Sequence, residues 1–194
     1  MRILWDKTAR IYPWLRSNPV SRHFLQKEIM CGLNLLSMIT ITKDTCVADL
    51  AVGRGHSIPL LPDTAQVKFA IDKSYRMISL TKPAYPDIHF IQADALHLPI
   101  KSLTFDLVLC IGLLEYVPDT HRLLAEIYTI LKINGCLLLT STPRARINYF
   151  RFISGHKIYL RNRDVIEDVT SAHSFRMIGT KSTGSQDQFL LRKE

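Results

Sequence analysis

The chain is expected to fold as a doubly wound α/β domain, a mostly parallel sheet between two layers of helices. Three observations predict this. From about residue 45 to residue 143, short apolar runs alternate with helix-patterned segments, the rhythm of βαβ units joined by right-handed crossovers. Four of the runs end on an acid or a small residue, at Asp49, Asp72, Asp94 and Cys110–Gly112. The carboxyl ends of such strands meet at a ligand crevice near the point where strand order reverses. The closing stretch "FRMIGTKSTGSQDQFLLRKE" differs: it reads as an antiparallel hairpin around a Thr/Gly/Ser turn.

Taken in order, residues 1–20 mix aromatic and basic side chains with two prolines and read as an irregular N-terminal cap. Ser21 is placed to N-cap a helix through "SRHFLQKEIMCGLNLLSM", where Phe24, Leu25, Ile29, Leu33 and Leu36 recur at helical spacing. "TCVADLAV" is the first strand, and "HSIPLLPD" is a poor helix because of its prolines. "QVKFAID" is the second strand, followed by a helix in "SYRMISLTK" with Ser74 or Asp72 at its N-cap; "IHFIQAD" is the third strand. "TFDLVLCIG" is continuously apolar, as a strand buried on both faces should be. "DTHRLLAEIYTILKINGC" predicts a helix capped by Asp119 and ended by Asn134-Gly135, before a fifth strand in "CLLLTSTP". Residues 144–163 carry six Lys/Arg, several aromatics and no acid, and "RDVIEDVTSAH" suits a last helix.

Bulk properties set the limits. With 194 residues, 47% apolar and 22% charged, the chain has the size and composition of one soluble globular domain. The net charge of +8 attracts anions, whether nucleic acid, an acidic membrane surface or a phosphorylated or carboxylated substrate, and does not choose among them. The four cysteines form no C-x-x-C pair and no zinc spacing with histidine, so no metal is expected. Three lie in or beside apolar runs, as free thiols of a reducing cytoplasm do. No secretory pattern and no apolar run near the ~20 residues of a membrane span is present; peripheral membrane contact stays open.

The loop "DLAVGRGHS" carries the chemistry. A triphosphate-binding loop needs a lysine after its last glycine, and none follows Gly55. A dinucleotide fingerprint needs a third small residue, but Ile58 stands there and Pro59 disrupts the helix start that would hold a pyrophosphate. What remains is an acid followed by small residues at alternate positions: Asp49, Ala51, Gly53 and Gly55.

At this point the sequence resembles the class I S-adenosylmethionine-dependent methyltransferases. "DLAVGRG" is similar to their [D/E]-x-G-x-G-x-G motif, with Ala51 in place of the first glycine. "FAIDKSYRMI" resembles their second motif. "IQADALHLPIKSLTFDLVLCIGLLEYVPD" and "LKINGCLLLTSTPR" resemble the corresponding runs of the type 11 group, which includes ubiquinone- and menaquinone-biosynthesis-like enzymes. The match covers roughly residues 45–143.

The resemblance implies a Rossmann-like fold, a three-layer α/β/α sandwich with a seven-stranded sheet. It further implies one domain over residues 1–194: a helical cap over 1–40, a cofactor core over 41–143, and an acceptor-side segment with the hairpin over 144–194. S-adenosylmethionine is the implied cofactor and S-adenosylhomocysteine the product. Asp49 would orient the loop and meet the ligand's ammonium. Backbone at Ala51 and Gly53 would let the methionine portion approach, and Gly55 would complete the cofactor-binding loop. Asp72, beside Lys73, would bind the ribose hydroxyls. Asp94 and Ala95 would meet adenine, with Ile71, Met77 and Leu96 around the ring. Cys110 would help to bind the cofactor, Ile111 and Gly112 would face the reacting methyl group, and Tyr12 would belong to an aromatic lid.

Methyl transfer from a sulfonium is an in-line displacement in which orientation contributes much, so a strong base is not required. Glu115 and Tyr116 are the candidate catalytic residues, Glu115 as a proton acceptor or as a pairing group at the following turn. His56 can reach the cofactor carboxylate or lie on the loop surface; His121 reads as helix surface. The basic-aromatic stretch from Arg144 to Arg163 suits an anionic or lipid-like small molecule, or stacked bases. The expected function is methylation of an O, N or C nucleophile on a small acceptor. Alternatives are a cofactor-binding partner or regulatory subunit without turnover, suggested by Ala51, and an RNA methyltransferase.

Overall fold

The computed structural model describes residues 5–6, 19–144 and 157–194. Seven strands form one sheet: β1 (Cys46–Leu50), β2 (Val67–Asp72), β3 (His89–Gln92), β4 (Phe105–Cys110), β5 (Leu131–Ser141), β6 (Phe175–Ser182) and β7 (Asp187–Lys193). Their order is β3-β2-β1-β4-β5-β7-β6. β1 to β5 run parallel, while β7 lies antiparallel to both β5 and β6. The expected mostly parallel sheet with an antiparallel hairpin is therefore present.

Alternation along the central strands explains why both faces are covered. Ala48, Leu50, Phe105, Val108, Leu137 and Leu191 pack into one core with Leu123, Leu124 and Ile127. Val47, Leu107, Leu109, Leu138 and Leu190 pack into the other with Leu35, Leu36 and Leu60. Side chains of successive strand residues point to opposite faces, so a sheet with helices on both sides needs apolar residues at every position. The helices that cover it are α1 (Pro19–Leu36), α2 (Tyr75–Thr81), α3 (Thr120–Ile130) and α4 (Arg163–Ala172).

Two boundaries differ from expectation. α1 begins at Pro19, not after Ser21, as suits a residue with no N–H to leave unpaired in the first turn. Its buried side follows Glu28, Gly32, Leu35 and Leu36, while Leu33 is exposed. α3 is capped by Asp119, whose side chain accepts the Arg122 N–H as predicted, but it stops at Ile130. Leu131 already pairs with Phe105 of β4, and Lys132 reaches both carboxylate oxygens of Asp106. These contacts pull the chain into β5 early. Asn134, at φ 62°, is a bend within the strand and not a helix end.

Among the described residues no helix is long and apolar enough to cross a membrane. Cys110 and Cys136 are buried, Cys31 and Cys46 half-buried, and all four are free thiols.

Candidate active site

Strand order reverses between β1 and β4, since β1 leads outward to β2 and β3 while β4 leads to β5 and β7. A crevice opens at that switch point, beyond the carboxyl ends of the strands, where ligands bind in sheets of this kind. Its walls come from the loop after β1, the ends of β2 and β3, the turn after β4, one side of α1 and the start of β7.

The loop after β1 turns through three residues at positive φ: Ala51 at 62°, Gly53 at 52° and Gly55 at 81°. Ala51 and Val52 anchor it by donating their N–H groups to Ile71 O at 2.7 and 3.1 Å. Asp72 fixes it from the neighbouring strand, accepting Gly53 N–H and Ser74 N–H, both at 2.8 Å. Thr81 Oγ1 donates to Gly53 O at 2.9 Å. A Cβ placed on Gly53 would meet only Ala51 O, at 3.8 Å, so the loop presents bare backbone to open space. Gly55 has another reason to be glycine: a Cβ there would press on Ile58, Thr81 and Tyr85 at 3.0–3.3 Å.

Asp49 is fully buried behind this loop. Ser57 Oγ donates to its Oδ2 at 2.5 Å, and its Oδ1 has no partner. Burial pushes the carboxyl up to about 7; the Ser57 hydrogen bond opposes the rise and Asp72 adds to it. Burial also raises Asp72, against the hydrogen bonds from Ser74 and Gly53. Asp94 moves the other way: burial alone would raise it, but hydrogen bonds from Lys73 and the Leu96 N–H, with the charges of Lys73 and His97, hold it below its ordinary value. Lys73 pairs directly with Asp94.

Most sequence-predicted residues come together. Ala51, Gly53, Asp72, Lys73, Met77, Asp94, Ala95, Leu96, Ile111, Gly112, Glu115 and Tyr116 all line the crevice, with Ile71 and His56. Asp49, Gly55 and Cys110 do not line it. Cys110 is wholly buried, with its thiol pushed up by burial and by Glu115 and Asp49, so it packs beneath the site instead of facing it. His121 lies on α3, 3.1 Å from His173. Tyr12 and most of the basic-aromatic stretch fall outside the described residues.

Glu115 is buried at the turn after β4. Its Oε1 accepts Thr142 Oγ1 at 3.2 Å, and its carbonyl accepts the Tyr159 N–H at 2.7 Å. Arg161 ties the same turn down, donating to the carbonyls of Leu114, Val117, Pro118 and Tyr159 at 2.6–3.3 Å.

Several lining residues were not singled out in sequence. Arg54 sits between the two loop glycines, with Nε and Nη1 buried and without partners. Trp5 packs edge-on against Tyr116 at 4.8 Å, and its neighbour Asp6 accepts the Ser74 hydroxyl. Glu28, Gln186 and Gln188 face the crevice from α1 and the β6–β7 hairpin. A signal existed for two of these sites: an arginine inside a glycine loop, and an acid on the buried stripe of a helix.

The fold has close counterparts. Magnesium protoporphyrin IX methyltransferase from Synechocystis, solved with bound S-adenosylhomocysteine, superposes with a TM-score of 0.77 at 18% identity, over 100% of this chain and 98% of that one. Residues 48–139 match a family model described as a methyltransferase domain, type 11. The ubiquinone/menaquinone biosynthesis C-methyltransferase of Campylobacter jejuni is 24% identical over 164 residues, 78% of this chain and 69% of that protein. Trans-aconitate 2-methyltransferase of Escherichia coli is 30% identical over 119 residues, 59% of this chain and 46% of that protein. Fold, crevice and sequence match define the class: an S-adenosylmethionine-dependent methyltransferase with a Rossmann-like sheet. Within that class the likeness is to the type 11 model over residues 48–139 and to the C-methyltransferase of Campylobacter jejuni.

Proposed function

We propose that this enzyme moves the methyl group of S-adenosylmethionine onto an O, N or C nucleophile of a small-molecule acceptor bound beside β4, β5 and β7. The observation that carries the reading is Arg54: a half-buried arginine whose Nε and Nη1 are buried without partners, next to bare glycine backbone in the crevice. A buried charge is costly without a partner, and the carboxylate of the cofactor's methionine portion supplies one. The residues present therefore fit the cofactor.

The roles follow from position. Asp72 uses one lone pair of each oxygen on the backbone and keeps others for the ribose diol. Asp94, with the Ala95–Leu96 backbone, serves the adenine edge, and Ile71, Met77 and Leu96 supply apolar contact to the ring. Gly53 backbone and Arg54 hold the methionine portion. When bound, the cofactor supplies a methyl group already activated by sulfonium charge and leaves as a neutral thioether. The chain's task is then to align a nucleophile behind that methyl and exclude water. Ile111 and Gly112 leave room for the transfer, and Gly112 is held by donating its N–H to Thr140 Oγ1 at 2.8 Å. Glu115, with Tyr116, borders the same space and is placed to take the acceptor's proton or orient its donor.

The departure from the family motif does not close the site. Ala51 takes the left-handed conformation a glycine would take, at a cost of about 1 kcal/mol. The dinucleotide alternative loses support locally, because the turn at Ile58–Leu60 is three residues long and carries Pro59, too short to present a helix N-terminus.

The test is release of S-adenosylhomocysteine from S-adenosylmethionine across a panel of phenols, amines and activated carbon acids. Acceptor-dependent release supports the proposal. Cofactor binding with no release across the panel would favour the partner-subunit reading, and transfer only to RNA, weakening steeply with salt, would redirect the acceptor class.

A further inference from the structure

Ser74 holds two crevice residues at once. It is wholly buried and N-caps α2, its Oγ accepting the Met77 N–H at 3.1 Å. Its own N–H donates to Asp72 Oδ1 at 2.8 Å. In the cofactor reading of the crevice, Asp72 meets the ribose and Met77 the adenine ring, and both line it. An N-cap side chain that turns away leaves a first-turn N–H without its partner. The direction of the Ser74 hydroxyl therefore matters to the end of β2 and to the start of α2 together.

That direction is set by Asp6. A serine hydroxyl has one proton and two lone pairs. The Ser74 proton goes to Asp6 Oδ1 while a lone pair takes the Met77 N–H. With its proton engaged there, Ser74 offers Asp72 only its backbone N–H, and the remaining lone pairs of Asp72 stay open to the ribose diol. One line of hydrogen bonds thus runs from Asp6 through Ser74 and Asp72 to the Gly53 N–H. Asp6 is steadied from the opposite wall, because its neighbour Trp5 packs edge-on against Tyr116. Its charge gives no advantage: burial raises Asp72, and Asp6 adds to that rise against the hydrogen bonds from Ser74 and Gly53. What Asp6 contributes is an acceptor oxygen. The glycine loop and Asp72 come with the fold, whereas this oxygen is brought by a residue 68 positions from Ser74.

We propose that Asp6 is a positioning residue of the cofactor site: it holds the Ser74 hydroxyl, and through Ser74 it fixes Asp72 for the ribose and Met77 for the adenine ring. The proposal rests on the methyltransferase reading of this crevice.

The experiment titrates the whole chain with S-adenosylhomocysteine by calorimetry and follows amide hydrogen exchange on the ligand-free chain. Asp6→Ala is expected to weaken binding about fivefold, the scale of one buried hydrogen bond, and to speed exchange at the Met77 and Ser74 amides. Asp6→Asn keeps an acceptor oxygen and drops the charge, so its affinity should stay within about twofold of the unaltered chain. Ser74→Ala should weaken binding as well, and adding Asp6→Ala to it should cost less than about twofold more, as for two residues on one path. Affinity unchanged in Asp6→Ala would overturn the proposal, and with faster exchange it would leave Asp6 as support for the α2 cap alone. Asp6→Asn as weak as Asp6→Ala, or losses that multiply in the double variant, would also overturn it. Failure of the unaltered chain to bind S-adenosylhomocysteine would instead fault the cofactor reading, while the exchange would still report whether Asp6 holds Ser74.

Discussion

The two ends of the crevice are made in different ways. At the β1–β3 end, each functional group sits just past a strand end, and the groups hold one another through the backbone: Asp72 to Gly53 and Ser74, Ala51 to Ile71. At the β4–β7 end, the groups come from far apart. Gln188 meets Glu28 across 160 residues, and Arg161 holds carbonyls 43–47 residues away. The first end is set by strand order and glycine conformation, so any sequence with this fold and loop can build it. The second depends on side chains from several elements, which is how one fold hosts many acceptors.

The comparison breaks most easily at Asp72. If Asp72 binds the ribose as proposed, Asp72→Ala removes that partner as well as releasing Gly53, and should weaken S-adenosylhomocysteine binding by about 1.5–3 kcal/mol, the scale of lost charge-assisted hydrogen bonds. Calorimetric titration of the folded variant measures this; unchanged affinity would remove Asp72 from the ribose. The matching change at the other end is Arg161→Leu. It strands carbonyls of the turn after β4, so denaturant melts should show a loss of about 1–3 kcal/mol. Cofactor affinity should change little, and an equal loss of both would show that the two ends are not separable.

A smaller effect sharpens the comparison through pH. Burial lifts Asp49 from 3.8 to about 7, so the folded chain keeps a proton that the unfolded chain releases. The stability this protonated form contributes is full below about pH 4, falls as pH rises, and is gone above about pH 7, at up to about 1.4 kcal/mol per pH unit. Asp49→Asn should flatten that part of the stability profile. A profile identical to that of the unaltered chain would mean that Asp49 is ionised in the fold. The smallest effect is at Ala51, held at φ 62°. Ala51→Gly should raise thermal stability by no more than about 1 kcal/mol, strain relief being partly offset by a freer unfolded chain, with cofactor affinity kept or improved.

These differences also explain what could be read in the sequence. Strand positions, the Asp119 cap and most of the residues around Ala51, Asp72, Asp94 and Gly112 were legible, because apolar alternation and motif spacing are local signals. Cys110 was misplaced by one step: strand side chains alternate, and the last residue of β4 points into the core while Ile111 and Gly112 reach the crevice. The end of α3 was misread because Asn134-Gly135 is a helix stop by composition, whereas the pairing of Leu131 with Phe105 and of Lys132 with Asp106 is tertiary. Glu28 carried only its place on the buried stripe of a helix, and Gln188 carried almost no local signal. Their meaning depends on α1 and β7 meeting, which no short stretch encodes.

The central claim is that the glycine loop, Arg54 and Asp72 form a site for S-adenosylmethionine. Its most direct test is calorimetric titration of the purified chain with S-adenosylhomocysteine, with NAD and ATP as controls, backed by a thermal shift; ligand at 100 times its Kd adds about 2.7 kcal/mol of stability. The account predicts saturable binding of S-adenosylhomocysteine alone, weakened by Arg54→Ala. Binding of NAD in its place, or no binding of S-adenosylhomocysteine to the folded chain, would contradict it.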